Sequence, residues 1–236
     1  MSRSLHLWLP VLLWLTGVAL WGQEAYPSAS PTMTLTEADG TQEETSVYEG
    51  SAPLHAVFSA NPEDVGGYTP YYEWRFTREG ESEPFLKRFD EVTEYDFNTS
   101  GTTSVTLYIS FVQGRDTITY EMDSPFIVTI SESKLEMPNA FTPNGDGYND
   151  IFKAKEGYES IVEFHATIFN RWGRKLFEWD DPAEGWNGTA GGSDVPDGAY
   201  YLVVKARGAD GRRYDMKKTI NLLRGYTQDG SGTLIP

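Results

Sequence analysis

The stretch GAYYLVVKARGADGRRYDMKKTINLL, Gly198 to Leu223, is two runs rich in Tyr, Val, Ile and Leu on either side of Ala209-Asp210-Gly211. It reads as a β-hairpin, because glycine supplies the positive φ that a tight strand-to-strand connection needs. Upstream lies IVEFHATIFNRWGRKLFEW, Ile161 to Trp179. There Ile161, Glu163, His165, Thr167 and Phe169 share one face, and Val162, Phe164, Ala166 and Ile168 the other, so the second face is the one a core would cover. Asn170-Arg171-Trp172-Gly173 reads as the tight turn that ends this strand. Strands of this kind, joined by short Gly/Asn/Asp turns, predict a β-sandwich.

The rest of the chain has the same character. Thr, Tyr, Phe, Val and Ile occur in short runs broken by Gly, Pro, Asn and Asp, with no long helix-period run of Ala, Leu, Glu and Lys. With 236 residues and 14% aromatic side chains, there is room for two small domains and material for more than one core. The N-terminus, MSRSLHLWLPVLLWLTGVALWGQEA, places an early arginine before an apolar run interrupted by Pro10 and followed by Gln23-Glu24. It reads as a secretory signal peptide over residues 1–22, and no second span follows it. The chain has no cysteine, so an exported domain here stands on packing alone. Thiol catalysis, a cysteine-ligated zinc and a lipid-bearing cysteine are excluded with it.

Charge divides the chain. Gln23 to Glu136 carries about 21 acids and about 6 bases, whereas Met137 to Pro236 carries about 14 and about 12. A net charge of −16 argues against nucleic acid as a partner, since phosphate backbones require a basic surface.

The acidic half contains SAPLHAVFSANPEDVGGYTPYYEWRF from Ser51, EYDFNTSGTTSVTLYISF from Glu94 and PFIVTIS ending at Ser131. Leu54, Ala56 and Phe58 alternate with polar or outward positions, Tyr72, Trp74 and Phe76 share a face, and so do Val105, Leu107 and Ile109. About seven short strands with Trp74 between two sheets are expected. The segments APLHAVFSA, YEWRF and TEYDFNTSGTTSVTLYI resemble the PKD-type immunoglobulin-like fold, although TREGES after Phe76 replaces its usual Gly-Asp-Gly turn. That resemblance implies a spacer or interaction module over residues 30–133.

The second half carries a more specific resemblance. PNAFTPNGDGYNDIF, IFNRWGRKLFEW, GWNGT and PDGAYYLVVKARGADGRRYDMKKTINLLR occur in the order and spacing of the gliding-motility-associated C-terminal domain, the type B sorting domain of the Bacteroidetes type IX secretion system. The fold expected is therefore all-β: two tandem immunoglobulin-like β-sandwiches after a signal peptide, with the sorting domain over residues 137–225 and a flexible tail over 226–236. The resemblance implies passage through the periplasm and recognition by the type IX machinery at the outer membrane, ending at the cell surface or in the medium. A surface glycan or a sensor protein is the alternative partner, and an accessory or regulatory role in the machinery the alternative function. Family members commonly stop near LLR, whereas this chain continues with GYTQDGSGTLIP.

Two groups of residues are candidate sites. Asn144, Asp146, the Tyr148 carbonyl and Asp150 are oxygen donors spaced by Gly145 and Gly147, which suits either a weak calcium loop or a hydrogen-bonded Asn/Asp/Gly turn. The opening position of a full calcium loop is occupied by Thr142. Arg212, Arg213, Lys217, Lys218 and Arg224 form the main basic stretch, read as a solvated strand face or as a contact for the secretion apparatus. Asp116-Thr117-Ile118 matches a short O-glycosylation pattern of these bacteria. His55 and His165 lie inside strands, and no Ser/His/Asp set, G-x-S-x-G turn, H-E-x-x-H or phosphate loop occurs. Asp180, Asp181 and Glu184 beside Trp179 and Trp186 are the one carboxylate pairing that resembles a sugar site, and their Pro/Gly surroundings favour solvated turn acids. No catalytic residue and no cofactor beyond weak calcium is expected.

Overall fold

Alternation of large apolar and polar residues builds the first domain. The computed structural model describes residues 26–37, 40–225, 227–228 and 234–235. One sheet has the order Val47–Gly50, Phe126–Ile130, Gly101–Gln113, Thr69–Arg78, Leu86–Arg88. Asp116–Glu121 pairs with the far half of Gly101–Gln113, which is long enough, at 13 residues, to serve two partners along one side. The facing sheet has the order Gln42–Glu44, Thr32–Thr36, Leu54–Ser59, Val92–Phe97. Because side chains alternate along a strand, Leu54, Ala56 and Phe58 meet Trp74, Phe76, Val105, Leu107 and Ile109 between the sheets. Trp74 is fully buried, and its indole N–H donates to the Asp90 carbonyl at 3.1 Å.

Of the expected core residues, Leu54, Ala56, Phe58, Trp74, Phe76, Val105, Leu107 and Ile109 are buried, whereas Tyr72 is half-buried and its hydroxyl donates to Glu91 at 3.0 Å. The number of strands is higher than expected, 12 up to Ile130 among the described residues, because several edge segments are only two to four residues long. Segments so short carry no readable alternation.

The second domain is a five-stranded sheet in the order Ala140–Phe141, Arg213–Leu222, Gly198–Gly208, Ile161–Phe169, Lys175–Trp179. Opposite it lie Phe152–Lys153 paired with Gly185–Trp186, and the Lys134–Glu159 bridge. Between the layers sit Phe141, Phe152, Ala166, Ile168, Trp186, Leu202, Val204, Ile220 and Leu222. Leu135 and Met137 already belong to this core. The hairpin read from Gly198–Leu223 is the centre of the sheet, paired from Gly198↔Leu222 to Arg207↔Arg213, with Gly211 at φ 80° in its turn.

Register gives the second domain two ends. Ile161 pairs with Gly208 at one end, and Phe169 with Tyr201 at the other. The first end meets the first domain. Ala209 is buried in the first domain's core, its carbonyl accepts the Ser100 amide at 3.1 Å, and its amide donates to the Ser160 carbonyl at 2.9 Å. The Ser160 hydroxyl accepts the Ala52 amide at 3.2 Å and bonds the Ser131 hydroxyl at 2.8 Å. A second knot joins Ser133 to Asp210 at 2.7 Å and to the Tyr214 hydroxyl at 2.9 Å. Gly208 lies so close to Ser133 that a Cβ there would stand 2.1 Å from the serine hydroxyl. The linker is therefore stitched to the second domain.

The expected signal peptide lies outside the described residues, as does much of the expected tail; the backbones of Thr227–Gln228 and Leu234–Ile235 pair antiparallel. Among the described residues, no helix is long and apolar enough to cross a membrane.

Candidate functional site

The five basic residues read from the sequence do not form one patch. Successive residues of a strand point to opposite faces, and along Arg213–Leu222 the odd positions are exposed while the even ones turn inward. Arg213 and Lys217 therefore stand on the solvent face, where Asp215 and Glu163 intersperse them and Glu163 takes the Arg207 guanidinium at 2.5 Å. Lys218 points inward, and its ammonium donates to the Met137 carbonyl at 2.7 Å. Burial, reinforced by repulsion from Lys155 and partly offset by Glu136, lowers its pKa. Arg212 belongs to the hairpin turn at the domain junction, where its amide donates to Asp210 at 2.9 Å.

Arg224 is a clamp. Its guanidinium donates to the carbonyls of Val195 and, at 2.7 Å, of Gly188, and it lies 3.4 Å from Asp194 and 3.6 Å from Asp197. Its amide donates to Asp197 at 2.9 Å. It thereby ties the end of the last sheet strand to the loop that leads into Gly198–Gly208.

The four calcium candidates do share one loop, and the loop is closed by its own hydrogen bonds. Asp150 accepts the Gly145 amide at 2.7 Å and the Gly147 amide at 2.8 Å, one on each carboxylate oxygen. The Gly145 amide's bond leads the effects that hold the Asp150 carboxyl below its usual range, with the Gly147 and Asn144 amides adding to it and desolvation opposing. Asn144 accepts the Asp146 amide at 3.0 Å, and Asp146 accepts the Tyr148 amide at 2.8 Å. The Tyr148 carbonyl takes the Thr142 hydroxyl at 3.3 Å, so threonine at the opening position serves the turn directly. Gly145 and Gly147 have φ of 82° and 87°, the left-handed region that glycine enters without strain. Among the described residues, no group of three or more His, Asp or Glu side chains converges as a metal cage.

The acids beside tryptophan are turn residues. Asp181 accepts the Ala183 amide at 2.8 Å, and Asp180 faces His165 Nδ1 at 2.6 Å. Trp179 and Trp186 are buried in the core, so they offer no stacking face to a sugar. His55 is paired in the same manner with Asp96 at 2.7 Å on the first domain's surface. Thr117 is exposed near the hairpin tip that connects Gln113 to Asp116.

One surface carries no site pattern legible in the sequence, the end of the second domain away from the first domain. Here Asn170–Arg174, Val195–Gly198, Leu222–Arg224 and the Thr142–Asp150 loop come together around the last rungs of the sheet. Trp172 projects from the Asn170–Arg174 turn and is 79% exposed. The NRWG pattern was legible as a turn, but periodicity says nothing about a side chain that points away from every strand.

Residues 135–222 match the CHU_C type IX secretion signal domain. The match runs from the first buried residue of the second core, Leu135, to its last, Leu222. The second sandwich is a type IX secretion signal domain, and it marks the chain for export across the outer membrane by that machinery. No curated protein matches the chain significantly.

Proposed function

We propose that the chain is an exported, non-enzymatic protein of the cell surface or the medium, in which an acidic PKD-like module is carried across the outer membrane by its C-terminal sorting domain. The observation that carries this reading is the family match over the whole second core. The surface chemistry of both domains supports it: in the first, His55 is held by neighbouring carboxylates on a strand face, and in the second, Asp181 serves a turn and Asp180 faces His165. The test is fractionation of cells with and without type IX secretion. The protein is expected outside wild-type cells and in the periplasm of the mutant; equal periplasmic recovery from both strains overturns the reading.

A second reading is favoured by the junction. The first domain is a small sandwich, and Ala209 of the sorting domain is buried in its core, so the two domains share a buried, hydrogen-bonded junction. Such a unit suits an accessory or regulatory protein of the secretion machinery, bound by a machinery component or a sensor. Deleting the gene should then alter the export of unrelated cargo, and unchanged export would exclude this role.

A further inference from the structure

We infer that the Arg171–Trp172 turn and the groove beside it form a docking point for a protein partner that offers an apolar side chain flanked by carboxylates. The identification of that partner with a component of the export machinery rests on the reading above. Trp172 is the most exposed large apolar side chain among the described residues. An exposed tryptophan is costly in water and is favoured at the centre of protein interfaces, where it often anchors binding together with arginine.

This tryptophan is also held in place. The Asn170 side chain accepts the amides of Trp172 at 3.0 Å and Arg174 at 2.9 Å, and Gly173, at φ 79°, completes the turn. The Arg171 guanidinium lies 4.9 Å from the indole centroid. Beside the ring is a groove of about 160 Å³, to which Leu176, Val195, Pro196, Ala199 and Tyr200 contribute. Its wall is braced by the Tyr200 hydroxyl on the Pro196 carbonyl at 2.6 Å, and by Arg224 on the Val195 carbonyl. A surface fixed in this way loses little conformational freedom on binding.

Position and charge choose the partner. The opposite end of the domain is covered by the passenger, so this end is the one presented outward. The carboxylates nearby are engaged: Asp194 and Asp197 with Arg224, Asp150 with loop amides. Among the described residues, Arg171 and Arg174 have no carboxylate within ion-pair distance. An unpaired cationic spot around an apolar anchor thus stands on a chain of net charge −16. A broad anionic membrane would repel such a chain, whereas a local acidic patch on a protein meets only the spot. The groove admits one side chain and is too narrow to seat a bilayer surface.

The test uses the full chain in cells. Trp172→Ala and the pair Arg171→Glu/Arg174→Glu are expected to fold, with melting close to the unchanged chain, and to reach the outside about tenfold less or lower, as loss of a binding anchor predicts. Tyr71→Ala, which removes an exposed aromatic from the passenger, is expected to export normally. Normal export of Trp172→Ala overturns the docking point, while retention of the unchanged chain in the periplasm of secretion-competent cells overturns the export reading instead. A photo-crosslinking aromatic residue at position 172 provides the independent readout. It should give a discrete protein adduct in living cells that Arg171→Glu/Arg174→Glu suppresses, and absence of that adduct overturns the docking point whatever the route of the chain. Flotation of the unchanged chain, but not Trp172→Ala, with phosphatidylglycerol vesicles would also overturn it, because the partner would then be lipid.

Discussion

The Ser133 hydroxyl donates to Asp210 Oδ1 at 2.7 Å, and this bond fastens the linker between the two domains to the central hairpin of the sorting domain. Desolvation opposes ionisation of Asp210, but the Arg212 amide, the Ser133 hydroxyl and the Ser133 amide outweigh it and hold the carboxyl below its usual range. A carboxyl with a lowered pKa in the folded state contributes stability above the unfolded pKa, near 4, and loses it as pH falls through the folded value. Stability should therefore drop as pH falls below about 4, and Asp210→Asn should show a shallower drop. Urea unfolding at several acid pH values measures this, and parallel pH profiles for the two proteins would assign the acid sensitivity elsewhere.

Trp179 and Trp186 lie in the same core and differ in one respect. The Trp186 indole N–H donates to the Thr189 carbonyl at 2.7 Å, whereas the Trp179 indole N–H is buried with no partner. Replacement by phenylalanine removes similar volume at both positions, so the difference between the two variants isolates the hydrogen bond. Trp186→Phe should cost about 0.5–1.5 kcal/mol more than Trp179→Phe, since it removes a part-buried hydrogen bond that Trp179 does not make. Equal losses in denaturant titration would show that packing, not the bond, sets both values.

Among the basic residues, Arg224 should matter to stability and Arg213 and Lys217 should not. Arg224→Ala abandons the carbonyls of Gly188 and Val195, and hydrogen bonds to a charged group are worth about 1.5–3 kcal/mol each. A fall in melting temperature of several degrees is expected. Arg213→Glu with Lys217→Glu changes a solvent face that already mixes signs, so melting and export should both stay near those of the unchanged chain. Loss of export with unchanged melting would identify that face as a contact for the machinery.

Where the sequence spoke clearly, period 2 was the reason. Trp74, Leu54, Phe58 and Leu107 fell on the buried faces because strands with one covered side must alternate, and the hairpin at Ala209–Gly211 followed from its glycine. The candidate sites were harder for the same reason. A basic stretch looks continuous in one dimension, yet Lys217 and Lys218 are neighbours that face opposite ways. Arg224 owes its role to Gly188 and Val195, 36 and 29 positions away, and no local pattern encodes that meeting. Trp179 and Trp186 looked like a platform for sugars beside their acids because aromatic residues serve cores and ligands alike, and only the fold decides between them.

The loop from Thr142 to Asp150 provides the last test, because calcium and a plain turn demand different roles of Asp150. In the turn, one carboxylate spans the Gly145 and Gly147 amides, and Asn144 and Asp146 each close a shorter ring onto an amide two residues ahead. These bonds orient the loop without an ion, so Asp150→Ala should lower the melting temperature of the full chain equally in excess chelator and in millimolar calcium. Asp146→Ala should lower it less, since Asp146 secures only the Tyr148 amide and an Asn144 side-chain contact at 3.0 Å. A bound ion would behave otherwise: a site with a dissociation constant of about 0.1–1 mM, the range of weak extracellular modules, would raise stability by roughly 0.7–2 kcal/mol at about 2 mM calcium. Calcium would then shift the melting of the unchanged chain by a few degrees, and either aspartate variant would abolish the shift. The turn predicts coincident melting curves with and without calcium for all three proteins; a calcium-dependent shift confined to the unchanged chain would make Asp146 and Asp150 ligands.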